Sequence, residues 1–145
     1  MAKIEVSRTI RAPREEVFDL TTTIEDYADV VPAIVDVQIL TEQRNGAGTR
    51  FREVRRNGRR PSASELEVTE FDHPARVRMV ADGRTTRRET TLTYLNTRDG
   101  TDVHLAVDVR PSGLLGRVRS WFVRDPLPRD LEADLDALKA HFERG

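Results

Sequence analysis

The chain contains no cysteine, which excludes a disulfide scaffold and thiolate chemistry alike. No apolar run approaches the roughly 20 residues that a membrane-spanning helix requires. Aromatic residues make up only 6%, with a single tryptophan and two tyrosines. G-x-S-x-G is missing too, and with it the signature of a serine nucleophile elbow. GAGTRF at 46–51 has two glycines but leads into a strand-like segment, so it is hairpin punctuation and no phosphate loop. His73, His104 and His141 stand apart without a second ligand at metal spacing. Neither a metal nor a cofactor is expected.

What is present fits one globular domain. The chain has 145 residues, 37% apolar and 34% charged, enough for one sizeable core and too few for two. The opening MAKIEVSRTI alternates like a strand instead of presenting the apolar centre of a signal peptide, and the cytoplasm is the expected compartment. Net charge is −1, unevenly spread: residues 1–42 carry 4 basic and 9 acidic groups (−5), 43–100 carry 13 and 8 (+5), and the remainder 7 and 8 (−1). The middle therefore has a basic face. Arginine outnumbers lysine 22 to 2, which fits codon composition better than a binding role.

Local pattern divides the chain into elements. KIEVSRTI alternates with Ile4, Val6 and Ile10 on one side, as in a strand. A helix follows from APREEVFDL, with Pro13 at its first position, Glu15 and Glu16 against the positive end of its dipole, and Val17 and Leu20 inward. Thr21 to Thr23 weaken its continuation, and Thr23 with Asp26 three residues on forms a capping-box-like start to a second short helix, ended by Pro32. From residue 35 a period of two persists for about 75 residues, which predicts six antiparallel strands in one meander. The inward sets are Val35, Val37 and Ile39; Leu66 and Val68; Val77, Met79 and Ala81; Leu92 and Tyr94; and Val103, Leu105, Val107 and Val109. Asn57-Gly58 is a strong hairpin signal, because a type I′ turn needs positive φ at both central residues. After Pro111 the chain reads as helical with a break, the main helix starting at Pro126 behind an Asp125 cap and running for on the order of 18 residues, about 27 Å. On it Leu131, Leu135, Leu138 and Phe142 form one stripe, with Glu132, Asp134, Asp136 and Lys139 opposite.

Seven twisted strands curl, since each is rotated by roughly 20–25° from its neighbour. One stripe of leucines cannot fill such a hollow, so a cavity is expected between helix and sheet. The segments IRAPREEVFDL, IEDYADVVPAIVDVQIL and LPRDLEADLDALKAHFERG, in that order, resemble the START/Bet v 1-like superfamily, in particular its bacterial polyketide cyclase/dehydrase-like branch. The resemblance covers nearly the whole chain and implies an α+β helix-grip fold: a curved seven-stranded antiparallel sheet wrapped on a long C-terminal helix, with two short helices after the first strand. It implies a hydrophobic ligand cavity without implying a reaction.

The cavity is expected to be lined by Tyr27, Val37, Phe51, Leu66, Val68, Met79, Arg88, Leu92, Tyr94, Leu105, Val107, Val118, Trp121 and Phe122. Polar groups in phase with the core are the candidates for chemistry: Arg88 and Thr90 share parity with Leu92 and Tyr94, and Glu53 with Phe51. An inward charge is costly unless paired or hydrated, so Arg88 would anchor a carboxylate or phenolate, unless a bulge before residue 90 flips the phase to Arg87 or to neither. Arg88, Tyr94 and Glu53 are also the candidate catalytic groups if the protein is an enzyme, whose reaction would then be cyclisation, aromatisation or dehydration of a poly-β-ketone. Resembling aromatase/cyclases carry a cavity arginine on the strand that here reads ELEVTEF, which holds no arginine and has Glu70 near the expected place. The cluster of Arg50, Arg52, Arg55, Arg56, Arg59 and Arg60 suggests either an anionic partner, as in a ubiquinone-binding or ribosome-associated protein, or a solvated hairpin paired to neighbouring acids. With only Phe51 interleaved, nucleic acid is disfavoured. The expected partner is a small hydrophobic molecule (lipid, polyketide, aromatic or isoprenoid), with peripheral membrane contact open and a monomer or homodimer expected.

Overall fold

The computed structural model describes residues 2–56, 60–83, 86–111 and 128–144. Strand β1 (Ala2–Ile10) leads into helices α1 (Arg14–Thr22) and α2 (Ile24–Val30). Six strands follow: β2 (Ile34–Ile39), β3 (Arg50–Arg56), β4 (Pro61–Asp72), β5 (Arg76–Asp82), β6 (Thr86–Thr97) and β7 (Gly100–Pro111). Helix α3 (Pro128–Glu143) closes the described chain. All seven strands form one antiparallel sheet in the order β1-β7-β6-β5-β4-β3-β2, a meander whose last strand accepts the first. The expected hairpin turn at Asn57-Gly58, the cap at Asp125 and the helix start at Pro126 lie outside the described residues.

Alternation places the core as expected on the inward face. Ile10, Tyr94 and Val103 are fully buried, and Leu66, Val77, Leu92, Leu105, Val107 and Val109 nearly so. Two bulges reset the phase. Between Ile34 and Asp36 two residues of β2 oppose one step of β3, so Ile34, Val37 and Ile39 turn inward while Val35, expected inside, is 53% exposed. A second irregularity between Val68 and Glu70 exchanges parity in β4, bringing Phe71 onto the core and Glu70 opposite Arg78. Each bulge inserts one unpaired residue and bends its strand. At the β6–β7 turn Gly100 has φ +142° and lies so close to β1 that a Cβ would stand 2.1 Å from the Ile10 carbonyl oxygen, so no other residue fits.

The helices differ from expectation in detail. Pro13 caps α1 instead of occupying its first turn; Val17 is fully buried and Leu20 packs on the core as expected, joined by the fully buried Phe18, in edge contact with Phe71 and Tyr94. Thr23 makes no side-chain cap on α2; its hydroxyl donates back to the Asp19 carbonyl at 2.7 Å. On α3 the buried set is Leu131, Asp134, Leu135 and Leu138. Asp134 thus belongs to the inward stripe and not to the opposite side, because positions 131, 134, 135 and 138 follow the i, i+3, i+4, i+7 spacing of one helical face.

Helix α3 is fastened to edge strand β1 by Arg8 Nε to Asp136 Oδ1 at 2.7 Å, Lys139 Nζ to the Thr9 carbonyl at 2.6 Å, and the Arg11 amide to Glu143 Oε2 at 3.1 Å. Leu135 and Leu138, both fully buried, seal this seam. Truncation of Leu135 to alanine is expected to cost about 3 kcal/mol, the range for a leucine removed from a packed core, as read from urea unfolding curves.

Candidate ligand-binding site

A cavity of about 270 Å³ lies between the sheet and the first turns of α3. Its floor is apolar: Phe51 from β3, Leu66 from β4, Met79 from β5, Leu92 from β6, and Leu105 and Val107 from β7, with Ile24 of α2 and Leu131 of α3 closing over them. These side chains converge because each sits at an inward position of its strand, in ladders pairing Phe51 with Leu66 and Leu92 with Leu105. An apolar void of about 150 Å³ is enough to hold benzene, so the volume admits a larger guest.

The polar groups of the lining are of two kinds. Arg55 is held between two carboxylates, Nε to Glu53 Oε1 and Nη1 to Asp134 Oδ2, both at 2.7 Å, which ties β3 to α3 across the cavity. Asp134 is 3% exposed. Burial raises its carboxyl pKa above the ordinary value, with Arg55 opposing. Burial draws the Arg55 guanidinium pKa down, but the fields of Glu53 and Asp134 outweigh that and leave it raised. Tyr27, half-buried beside this network, has its phenol pKa pushed up by burial and then by the charge of Asp134.

Arg88 is of the other kind. It is half-buried in the cavity wall, and burial lowers its pKa, partly countered by the charge of Glu53. Among the described residues it has no hydrogen bond and no ion pair. The phase of β6 therefore holds to its start, with no bulge before residue 90: Arg88 lies across from Val109 and Thr90 across from Val107. Arg87 turns the other way, to Asp82 at 2.9 Å.

Of the residues expected to line the cavity, the structure brings together Tyr27, Phe51, Leu66, Met79, Arg88, Leu92, Leu105 and Val107, together with Glu53 and Thr90. Val37 packs against the core outside the lining, and Val68 borders a separate void of about 10 Å³. Tyr94 is also outside: its hydroxyl lies 2.5 Å from Thr21 Oγ1. Thr21 donates its own proton to the Phe18 carbonyl at 3.0 Å, so Tyr94 is the donor of the pair, and burial, its main cause, keeps its pKa raised. Val118, Trp121 and Phe122 lie outside the described residues. Glu70 faces away from the cavity, near Arg76 at 3.2 Å and Arg78 at 3.9 Å.

Arg55 and Asp134 are cavity-lining residues that sequence reading missed. Arg55 shares the parity of Phe51 and Glu53 but reads as one more member of the arginine cluster. That cluster divides: Arg50 pairs outward with Glu65, Arg55 turns inward, and Arg60 reaches the cavity mouth. No metal-binding group of histidine and carboxylate side chains occurs among the described residues, and no described helix is long and apolar enough to cross a membrane. His104 contacts Ser7 and Glu5 on the outer face, and His73 contacts Asp19.

The model of the family described as polyketide cyclase / dehydrase and lipid transport matches residues 1–143. No curated protein matches the chain. Among solved structures, TTHA0849 from Thermus thermophilus is 23% identical, with 97% of each chain covered and a TM-score of 0.77. The major latex-like protein 151 of Panax ginseng is 13% identical, covering 98% of this chain and 97% of its own, at a TM-score of 0.79. The di-domain ARO/CYC BexL, from the BE-7585A biosynthetic pathway, is 20% identical at a TM-score of 0.74; 99% of this chain matches 47% of that one. Bet v 1-like proteins thus share the helix-grip fold described above.

Replacing Arg55 by methionine would leave Glu53 and Asp134 facing each other without their cation. The expected loss is about 3–5 kcal/mol at pH 7, the cost of breaking a buried pair from one side. The Asp134 carboxyl, already raised by burial, would lose the opposing charge of Arg55 and rise further in the folded state. The deficit relative to wild type should therefore be full at pH values above that raised pKa and shrink as pH falls towards about 4, where the unfolded carboxyls also protonate. Urea unfolding at a series of pH values measures this, and a deficit independent of pH would assign the loss to packing alone.

Proposed function

Because the chain belongs to the polyketide cyclase / dehydrase and lipid transport family, we propose that it binds a small, largely hydrophobic molecule in the cavity between the sheet and α3, oriented by Arg88. The observation that carries this reading is the half-buried Arg88, without a hydrogen-bond or ion-pair partner among the described residues, in the wall of a hollow with an apolar floor. Leaving a cation partly desolvated is unfavourable, and an acceptor on a bound guest removes that cost. Contact with the apolar floor contributes about 25 cal/mol per Å², so a guest burying roughly 200 Å² of apolar surface gains about 5 kcal/mol before the entropy of association is subtracted. Arg55, already saturated by Glu53 and Asp134, holds the wall and leaves the anchoring to Arg88.

A second reading, conversion of a poly-β-ketone, is favoured by Tyr27, Glu53 and Asp134, a phenol and two carboxylates at one cavity wall. A proton could pass between such groups and a folded polyketide. The ELEVTEF strand supplies no arginine, so Arg88 on β6 would have to orient the chain. In this reading Glu53→Gln would keep binding and lose turnover.

Thermal shift and native mass spectrometry against a panel of lipids, polyphenols and aromatic acids test the binding proposal. Acidic guests should bind wild-type protein, and Arg88→Ala should weaken them by about 10- to 100-fold, the range for a hydrogen bond to a charged group. An empty panel, or an Arg88→Ala variant that binds as wild type does, would overturn it.

A further inference from the structure

The cavity is chemically graded. Across β3 and β4, Phe51 faces Leu66, the next inward pair is Glu53 and Ser64, and the pair beyond that is Arg55 and Ser62. The lining therefore passes from apolar to polar along both strands, towards their shared hairpin. Arg60, just before β4, Arg88 on β6 and Arg129 in the first turn of α3 join this lining.

None of these three arginines has a hydrogen-bond or ion-pair partner among the described residues. Glu53 and Asp134 are engaged with Arg55, and Asp130, the remaining carboxylate of the lining, is partnered as well. The lining as a whole holds four arginines against three carboxylates. Arg60 and Arg129 are exposed while Arg88 is half-buried, so the unpaired charge runs from the mouth inward. Three cations from three separate elements are more than one carboxylate uses, since a single guanidinium already binds a carboxylate through two parallel hydrogen bonds. Ser62 and Ser64 add two hydroxyl donors on the same side. A phosphate monoester, with three free oxygens and nearly two charges at neutral pH, matches that supply.

Resting on the cavity reading above, we infer that the guest is a phosphorylated amphiphile: an apolar chain or ring on Phe51, Leu66, Leu92 and Leu105, ending in a phosphate held by Arg88, Arg60 and Arg129. The exposed pair also attracts the anion before it enters, so association slows as salt is added.

Calorimetry with decyl phosphate, decanoate, decanol and inorganic phosphate, each below its micelle concentration where it has one, tests the inference. Decyl phosphate should bind at least tenfold more tightly than decanol, with decanoate between them, and inorganic phosphate alone should give no measurable heat. The double substitution Arg60→Ala/Arg129→Ala, confined to exposed side chains, should bring decyl phosphate down to the affinity of decanoate and leave decanol unchanged. Decanol binding as tightly as decyl phosphate would overturn the phosphate assignment while leaving the cavity reading intact. Inorganic phosphate binding as tightly as decyl phosphate would also overturn it, assigning the arginines to a free anion. Failure of all four ligands would overturn the cavity reading itself.

Discussion

Helix α3 is held at two distant parts of one sheet, and the cavity depends on that. On one side it is fixed to edge strand β1 by Arg8, Arg11 and Lys139; on the other, Asp134 reaches Arg55 on β3, next to the opposite edge in the strand order. A helix tied this way bridges the sheet instead of settling into it. Its buried leucines, Leu135 and Leu138, pack the seam, whereas Leu131, one turn earlier, meets the open cavity. The seven strands supply concavity by their twist, and the helix has a single apolar stripe to set against it.

The same arrangement explains why charges stand above an apolar floor. Asp134 is buried at a cost, visible in its raised pKa, and is retained as the tie between α3 and β3. Arg55 bridges both carboxylates with its single positive charge, and Arg88 has no hydrogen-bond or ion-pair partner among the described residues. The cations of the cavity thus differ in placement: Arg55 ties β3 to α3, whereas Arg88 stands in the wall. Tyr94, which has the chemical type of an anchor, is spent on Thr21 and on the edge contact with Phe18.

Much of the architecture was legible because alternation is clean over β4 as far as Val68 and over β5 to β7, so that Leu66, Val77, Leu92 and Leu105 fall on one face. It failed where the backbone inserts a residue. The bulge at Ile34–Asp36 sends Val35 to solvent, and nothing in VDVQIL marks it. Arg88 was legible through its parity with Leu92, while Arg55, with equal parity to Glu53, was concealed by the four other arginines of the described hairpin. Asp134 was assigned by residue type when its spacing from Leu131 and Leu138 had already placed it inside. Val37 and Val68 have the right face but lie outside the hollow, Val37 on edge strand β2 across from Glu53 and Val68 at the small separate void across from Met79, a placement that parity cannot express.

The central claim is that sheet and helix leave real space between them, and a substitution that fills that space reads it by sign. Leu105 is on the cavity floor, 4% exposed to solvent. In a close-packed core, Leu105→Trp would overpack and cost about 1–3 kcal/mol. In a hollow, the indole gains contacts at little strain. The account predicts unfolding stability equal to or above that of the wild type, together with loss of ligand uptake; destabilisation by the overpacking amount would contradict it.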